Sequence, residues 1–217
     1  EFNYRVVAKV LGKEEPESGR KSHIYIFDRM EDWQEFQKAG ALEPWSGGIH
    51  SAGSLFVRRD PSYKFSGHSL GHEIAHLLIY RSYCHRIPTW LNEGFAEYVS
   101  RNSRASYQRA RHYLAKPHSN SLAPEQVIPL SELVTFTAPP NDRVDLFYDE
   151  SERLVRFLAQ ADRARFLAFL ETIAKGEAFT PALLHSYVGV FANSADFEAK
   201  FRAYASEDFG TSLQDQE

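Results

Sequence analysis

The chain has 217 residues, a formal net charge of −4 and one cysteine. Its hydrophobic fraction of 43% and charged fraction of 25% are ordinary globular values and exclude a disordered or low-complexity chain. The basic residues are scattered, which excludes the basic surfaces that bind nucleic acid. No apolar run approaches the ~20 residues of a membrane-spanning helix. Cys84 is the one cysteine and cannot form an internal disulfide.

The N-terminal part of the chain carries strand patterns. Residues 4–10 and 22–27 are rich in β-branched and aromatic residues, which indicates two strands. Met30–Ala39 has its apolar residues at helical spacing, and Ser54–Arg58 indicates a further strand. We therefore expect residues 1–65 to form a β-rich part.

Helical periodicity begins at Ser66 and continues almost to the C-terminus, with interruptions at prolines. This segment, residues 66–217, is expected to be mainly helical. Strands followed by helices favour an α+β architecture over alternating βαβ units. A chain of this length is expected to form one domain over residues 1–217.

The segment from His72 to His76 reads His-Glu-Ile-Ala-His, which is the H-E-x-x-H pattern. Histidines four residues apart project side by side from a helix and can share one zinc ion. Glu73 lies beside them, where a carboxylate can take a proton from a metal-activated water. His68 is one helical turn upstream, but three residues that span two turns cannot all reach one ion.

A catalytic zinc site needs a third protein ligand. The metzincin continuation is absent, because Ile79 and Ser82 occupy the positions of its Gly and His. After Pro88, a second predicted helix carries Glu93 and Glu97 on one face. Spacing alone leaves either carboxylate as a candidate.

Two segments together carry a family resemblance: His-Glu-Ile-Ala-His at 72–76, and Trp-Leu-Asn-Glu-Gly-Phe-Ala-Glu-Tyr at 90–98. They resemble the gluzincin metallopeptidases, in particular the peptidase MA-like proteins. The resemblance implies a zincin-like fold, in which an N-terminal mixed β-sheet and an active-site helix precede a mainly helical C-terminal half. Only 16 residues separate His76 from Glu93, whereas thermolysin-like and aminopeptidase-like relatives have roughly 18 or 19.

The resemblance also implies roles for individual residues. It implies that His72, His76 and Glu93 hold Zn²⁺, and that Glu73 is the general base and later the proton donor. Glu97 would be an outer carboxylate that orients a ligating histidine.

Two further roles follow from the resemblance. Residues 147–158 are similar to a tyrosine-containing helix of the family, which implies that Tyr148 stabilises the oxyanion, with His185 as the competing donor. A strand is expected to pair through its main chain with an extended peptide substrate. Its residues are Ser54, Leu55, Phe56 and Val57.

The resemblance implies a zinc metallopeptidase that acts on peptides or proteins. No Gly-Ala-Met-Glu-Asn segment of the aminopeptidase kind lies near the Ser54 strand, which favours an endopeptidase. The alternatives are a zinc hydrolase of a non-protein amide or cell-envelope peptide, and a zinc-binding module without turnover, against which Glu73 argues. A metal-free interaction domain is the remaining alternative. Oligomeric state is left open, and the resemblance together with a start that lacks methionine favours a secreted or periplasmic location.

Overall fold

The structure is a computed structural model that describes residues 2–13, 21–59, 67–110 and 127–214. For residues 67–69, 102–110 and 206–214 within these segments, it describes the helical backbone alone. The elements in chain order are α1 (Phe2–Val10), β1 (Ile24–Phe27), α2 (Met30–Ala39), β2 (Gly48–Ser51), β3 (Ser54–Arg58), α3 (Gly67–Tyr83), α4 (Thr89–Ala110), α5 (Leu130–Leu133), α6 (Val144–Ala161), α7 (Arg163–Ala174), α8 (Phe179–Ser186) and α9 (Ser194–Gln214). The expected α+β class is confirmed, and a small mixed sheet with many helices is compatible with a zincin-like fold.

Packing divides the chain into two compact units. One contains residues 1–82 and 99–114, and the other contains residues 83–98 and 115–217. The single domain over residues 1–217 stays a prediction. Among the described residues, no helix combines the length and the apolar character needed to cross a membrane.

The first unit contains a three-stranded sheet in the order β1-β3-β2, in which β3 is central. β3 is parallel to β1 and antiparallel to β2. Ala52 and Gly53 join β2 to β3 with φ angles of 49° and 78°, which suit a two-residue type I′ turn. Leu55 and Val57 of β3 are buried on one face of the sheet.

Helix α2 fixes the start of β2 through a short chain of hydrogen bonds. Trp33 is buried and donates from Nε1 to the carbonyl oxygen of Ser46 at 3.1 Å. The Ser46 hydroxyl in turn donates to the carbonyl oxygen of Gly48 at 2.5 Å. The first residue of β2 is therefore held by Ser46, which is itself held by a side chain of the preceding helix.

The strand expected at residues 4–10 is wrong, because these residues belong to helix α1. Val7, Ala8 and Leu11 are its buried positions, and this spacing is that of one helical face. The β-branched composition favours a strand, but a helix buries the apolar side chains of Val7, Ala8 and Leu11 together, and this burial outweighs the local preference. Strand β2 was not expected, because a four-residue Gly-Ile-His-Ser segment carries little strand signal of its own.

The second unit is mainly helical and has an aromatic core. Its fully buried aromatic side chains include Trp90, Phe95, Phe147, Phe166, Phe169, Tyr187 and Phe197. Tyr187 donates its hydroxyl to the carbonyl oxygen of Leu158 at 2.8 Å, and burial raises its pKa. Helices α4 and α6 approach closely where a Cβ added to Gly94 would lie 2.6 Å from the carbonyl carbon of Ser151. Only glycine allows this crossing without a shift of backbone.

Candidate metal centre

Helix α3 presents the two histidines of the H-E-x-x-H segment together. Ile74, Leu77 and Leu78 are buried, whereas His72 and His76 are only half-buried. The two Nε2 atoms lie 2.9 Å apart. Nitrogen ligands of a tetrahedral zinc stand about 3.3 Å apart, given bonds of about 2.05 Å. The pair is therefore spaced to share one metal ion after a small opening.

The carboxylate of Glu73 is buried beside these histidines and lies against the backbone of β2. Its residue is only 5% exposed. A Cβ added to Gly48 would lie 2.7 Å from Glu73 Oε1 and 2.8 Å from Glu73 Cγ. The glycine thus lets an edge strand run directly past this carboxylate.

The same strand continues along α3 beyond Glu73. His50 lies two residues after Gly48, and its ring centroid is 5.3 Å from that of Tyr80. Tyr80 follows Glu73 by two helical turns on the same side of α3. Strand β2 therefore borders α3 at two successive positions.

Helix α4 begins at Thr89, and the N–H groups of Leu91 and Asn92 donate to the carbonyl oxygen of Pro88 at 3.1 and 3.0 Å. The proline therefore ends the preceding turn and satisfies donors of the new helix. One turn apart on this helix, Glu93 is half-buried and Glu97 is 8% exposed.

Three side chains form a group that could hold a metal ion. One ligand atom each from His72, His76 and Glu93 lies within 4.8 Å of the other two. Two imidazoles and a carboxylate suit zinc, although other divalent metals accept the same donors. Within the described side chains Glu97 does not join this group, which favours Glu93 as the third ligand.

Tyr148 and His185 are the two candidate oxyanion donors. Tyr148 is half-buried on α6, one turn before Ser151, which packs against Gly94 beside Glu93. His185 is 73% exposed in its side chain and lies 3.9 Å from Glu177. These surroundings favour Tyr148, whose role stays a prediction.

The sheet order corrects the expected pairing of Ser54, Leu55, Phe56 and Val57 with a peptide. Central β3 is paired along its length with β1 on one side and with β2 on the other. Its main-chain groups cannot also pair with a substrate. The strand that borders Glu73 is β2, and it lies at a sheet edge. The sequence patterns do not predict β2. The signal for it is the Ala-Gly turn before the apolar strand β3, because such a turn indicates a preceding partner strand.

Comparison with known proteins identifies the family. The family model of the Peptidase MA superfamily matches residues 11–205. No curated protein matches the chain. The matched range covers most of the chain and contains the three potential metal ligands and Glu73. The chain therefore belongs to the Peptidase MA superfamily, which indicates a metallopeptidase-like protein that acts on peptides or proteins.

Proposed function

We propose that the protein is a zinc-dependent endopeptidase of the gluzincin type. The observation that carries this proposal is the group of His72, His76 and Glu93. A fourth side chain, the buried carboxylate of Glu73, lies on the same helix as the histidines. A purely structural zinc site has no use for a base beside the metal. Membership of a metallopeptidase superfamily supports the same reading.

The three ligands would hold zinc, which when bound supplies Lewis acidity to a water molecule and to the scissile carbonyl group. Glu73 takes the proton of the attacking water and then passes it to the leaving amine. Its position against Gly48 keeps the carboxylate in one orientation, so that little reorganisation is needed during proton transfer. Glu97, buried one turn beyond Glu93, orients a ligand, and the Tyr148 hydroxyl donates to the developing oxyanion.

Substrate pairing is assigned to β2 instead of β3. A two-residue turn makes Ser51 and Ser54 a hydrogen-bonded pair, so residues 48 and 50 direct their N–H and C=O groups away from β3. An extended peptide at this edge would run past Glu73. The Gly48 carbonyl already accepts from Ser46, so we assign the pairing mainly to the other main-chain groups of this edge.

Metal content tests the ligand assignment directly. The native chain is expected to bind about one zinc per chain. His76→Ala and Glu93→Ala should each weaken zinc binding at least about tenfold, because loss of one of three ligands leaves an incomplete site. His185→Ala is the control, since this exposed histidine lies outside the group. Absence of zinc from the native chain, or an equal effect of the control, would contradict the assignment.

Activity separates the proposal from its alternatives. A chelator should abolish peptide hydrolysis, and added zinc should restore it. Zinc binding without hydrolysis of any peptide would favour a binding module. Hydrolysis confined to non-protein amides or cell-envelope peptides would favour the specialised hydrolase.

A further inference from the structure

The second unit contains a cleft that shares no residue with the candidate metal group. Its volume is about 670 Å³, within the range of sites for small ligands. It is lined from four directions: the turn between α3 and α4, helix α5, the turn between α7 and α8, and the start of α9.

The floor of this cleft is aromatic. Phe179 is half-buried and packs against Trp90 and Phe197, which are each 1% exposed. The Phe179 ring centroid is 5.6 Å from that of Trp90 and 5.9 Å from that of Phe197, with edge-to-face geometry in both pairs. Phe179, packed against these two buried rings, is therefore the preformed aromatic surface that the cleft offers to a large aliphatic or aromatic group.

The rim of the cleft carries charges of both signs. Arg86 comes from the turn before α4, whereas Glu177 and Glu198 come from the turn before α8 and from α9. Glu177 lies 3.9 Å from His185. Arg86 and Glu198 are exposed, and among the described side chains neither makes an ion pair. Both charges are therefore available to a ligand at the mouth.

We propose that this cleft binds a short peptide with free termini and a large apolar side chain. The peptide carboxylate pairs with Arg86, its ammonium group pairs with Glu198, and its apolar side chain rests on the aromatic floor. Opposite charges on different elements above an apolar floor match a zwitterion that carries a hydrophobic group. The proposal does not depend on the peptidase activity, because no metal ligand lines the cleft.

Calorimetric titration of the full chain with the tripeptide Leu-Phe-Leu tests this assignment. A chelator in the buffer removes metal-dependent binding and hydrolysis, so the result is independent of the proposed peptidase function. The same peptide with an acetylated N-terminus and an amidated C-terminus is the matched ligand, and Gly-Gly-Gly reports the apolar part. We expect binding of Leu-Phe-Leu, with both comparison peptides at least about tenfold weaker, because each lacks one class of contact.

Variants locate the binding site. Arg86→Gln and Glu198→Gln should each weaken binding of Leu-Phe-Leu about fivefold to tenfold. Arg163→Gln removes an exposed arginine of the same unit outside the cleft and should have no effect. Ser131→Trp, at an exposed position of the cleft wall, should abolish binding, whereas Ala164→Trp on an exposed face of α7 should not.

Three results would overturn the proposal. They are no measurable binding of Leu-Phe-Leu, equal binding of the blocked peptide, and unchanged binding by Ser131→Trp in a chain whose circular dichroism matches that of the native protein.

Discussion

Gly48 decides how closely strand β2 can approach the carboxylate of Glu73. Its φ angle is not in the left-handed region, so alanine is allowed by the backbone and is opposed only by the side chain that it would meet. The glycine is therefore explained by space, not by conformation.

Gly48→Ala is expected to lower kcat of peptide hydrolysis about 10- to 100-fold. The added methyl group would displace the Glu73 carboxylate, and a displacement of about 1 Å lowers the rate by a factor of this size. Zinc content should stay at the native level, since Gly48 offers no ligand. Gly53→Ala is the control: its Cβ would meet nothing within 4 Å, but its φ of 78° should destabilise the turn by about 1–2 kcal/mol. Native kcat in Gly48→Ala would show that β2 does not fix Glu73.

The sequence predicts part of the candidate site because local spacing contains it. His72, Glu73 and His76 follow from one helical turn. The choice between Glu93 and Glu97 does not follow from spacing, since both lie on one face of α4. Their different distances from the histidines become visible only in three dimensions.

At the scale of elements, two glycines within helices have different surroundings. A Cβ at Gly94 would lie 2.6 Å from the Ser151 carbonyl carbon, which is backbone and cannot turn aside. A Cβ at Gly71 would lie 3.5 Å from Ser100, an ordinary contact. Helix α6 therefore depends on a glycine of α4, whereas Gly71 is replaceable on packing grounds.

Gly94→Ala is expected to lower the free energy of unfolding by about 1–3 kcal/mol, as overpacking does. Gly71→Ala, a matched change within α3, should leave stability unchanged or raise it by up to about 1 kcal/mol through helix propensity. Urea denaturation of the metal-free chain followed by circular dichroism measures both. Equal effects of the two changes would show that the α4–α6 crossing is not tightly packed.

Helix α9 begins with a reciprocal cap. The N–H group of Asp196 donates to Asn193 Oδ1 at 2.9 Å, and Asp196 Oδ2 accepts from the N–H group of Ala192 at 2.9 Å. Lys200 donates to the same carboxylate oxygen at 2.9 Å. The hydrogen bond from Lys200, followed by that from Ala192, lowers the pKa of Asp196 below its ordinary 3.8.

Because the folded-state pKa is lowered, the carboxylate stabilises the folded chain at pH values above 3.8, and this contribution is lost as the pH falls through the folded-state pKa. The difference in unfolding free energy between the native chain and Asp196→Asn should shrink as the medium becomes acidic. Asn193→Ala, which removes an uncharged cap, should cost about 1 kcal/mol with little dependence on pH. Urea denaturation at several pH values separates the two, and a constant difference for Asp196→Asn would count against the lowered pKa.

The elements show where sequence patterns are sufficient. Met30–Ala39 and Ser54–Arg58 occur with the bounds that their patterns predict. Residues 4–10 form a helix because burial of one helical face outweighs their β-branched composition. The central position of β3 depends on its pairing with a strand that has almost no signal of its own, so the sequence could not assign the edge.

At the scale of the whole molecule, strands before helices were enough to predict the α+β class. The family is shown by the match of the Peptidase MA superfamily model over residues 11–205. The domain count and the secreted or periplasmic location stay predictions, because neither composition nor charge pattern determines them.

The proposed peptidase function requires both a metal and a base, and these can be separated in one variant. Glu73→Gln keeps the size of the side chain and every ligand of the metal group, but it removes the proton acceptor.

The most direct measurement compares zinc content and hydrolysis of a mixed peptide library by the native chain and by Glu73→Gln. We predict about one zinc per chain in both, with hydrolysis by the variant lowered at least about 100-fold, because general base catalysis contributes this much or more. Equal hydrolysis by the two proteins, or bound zinc without hydrolysis by the native chain, would contradict the proposed function.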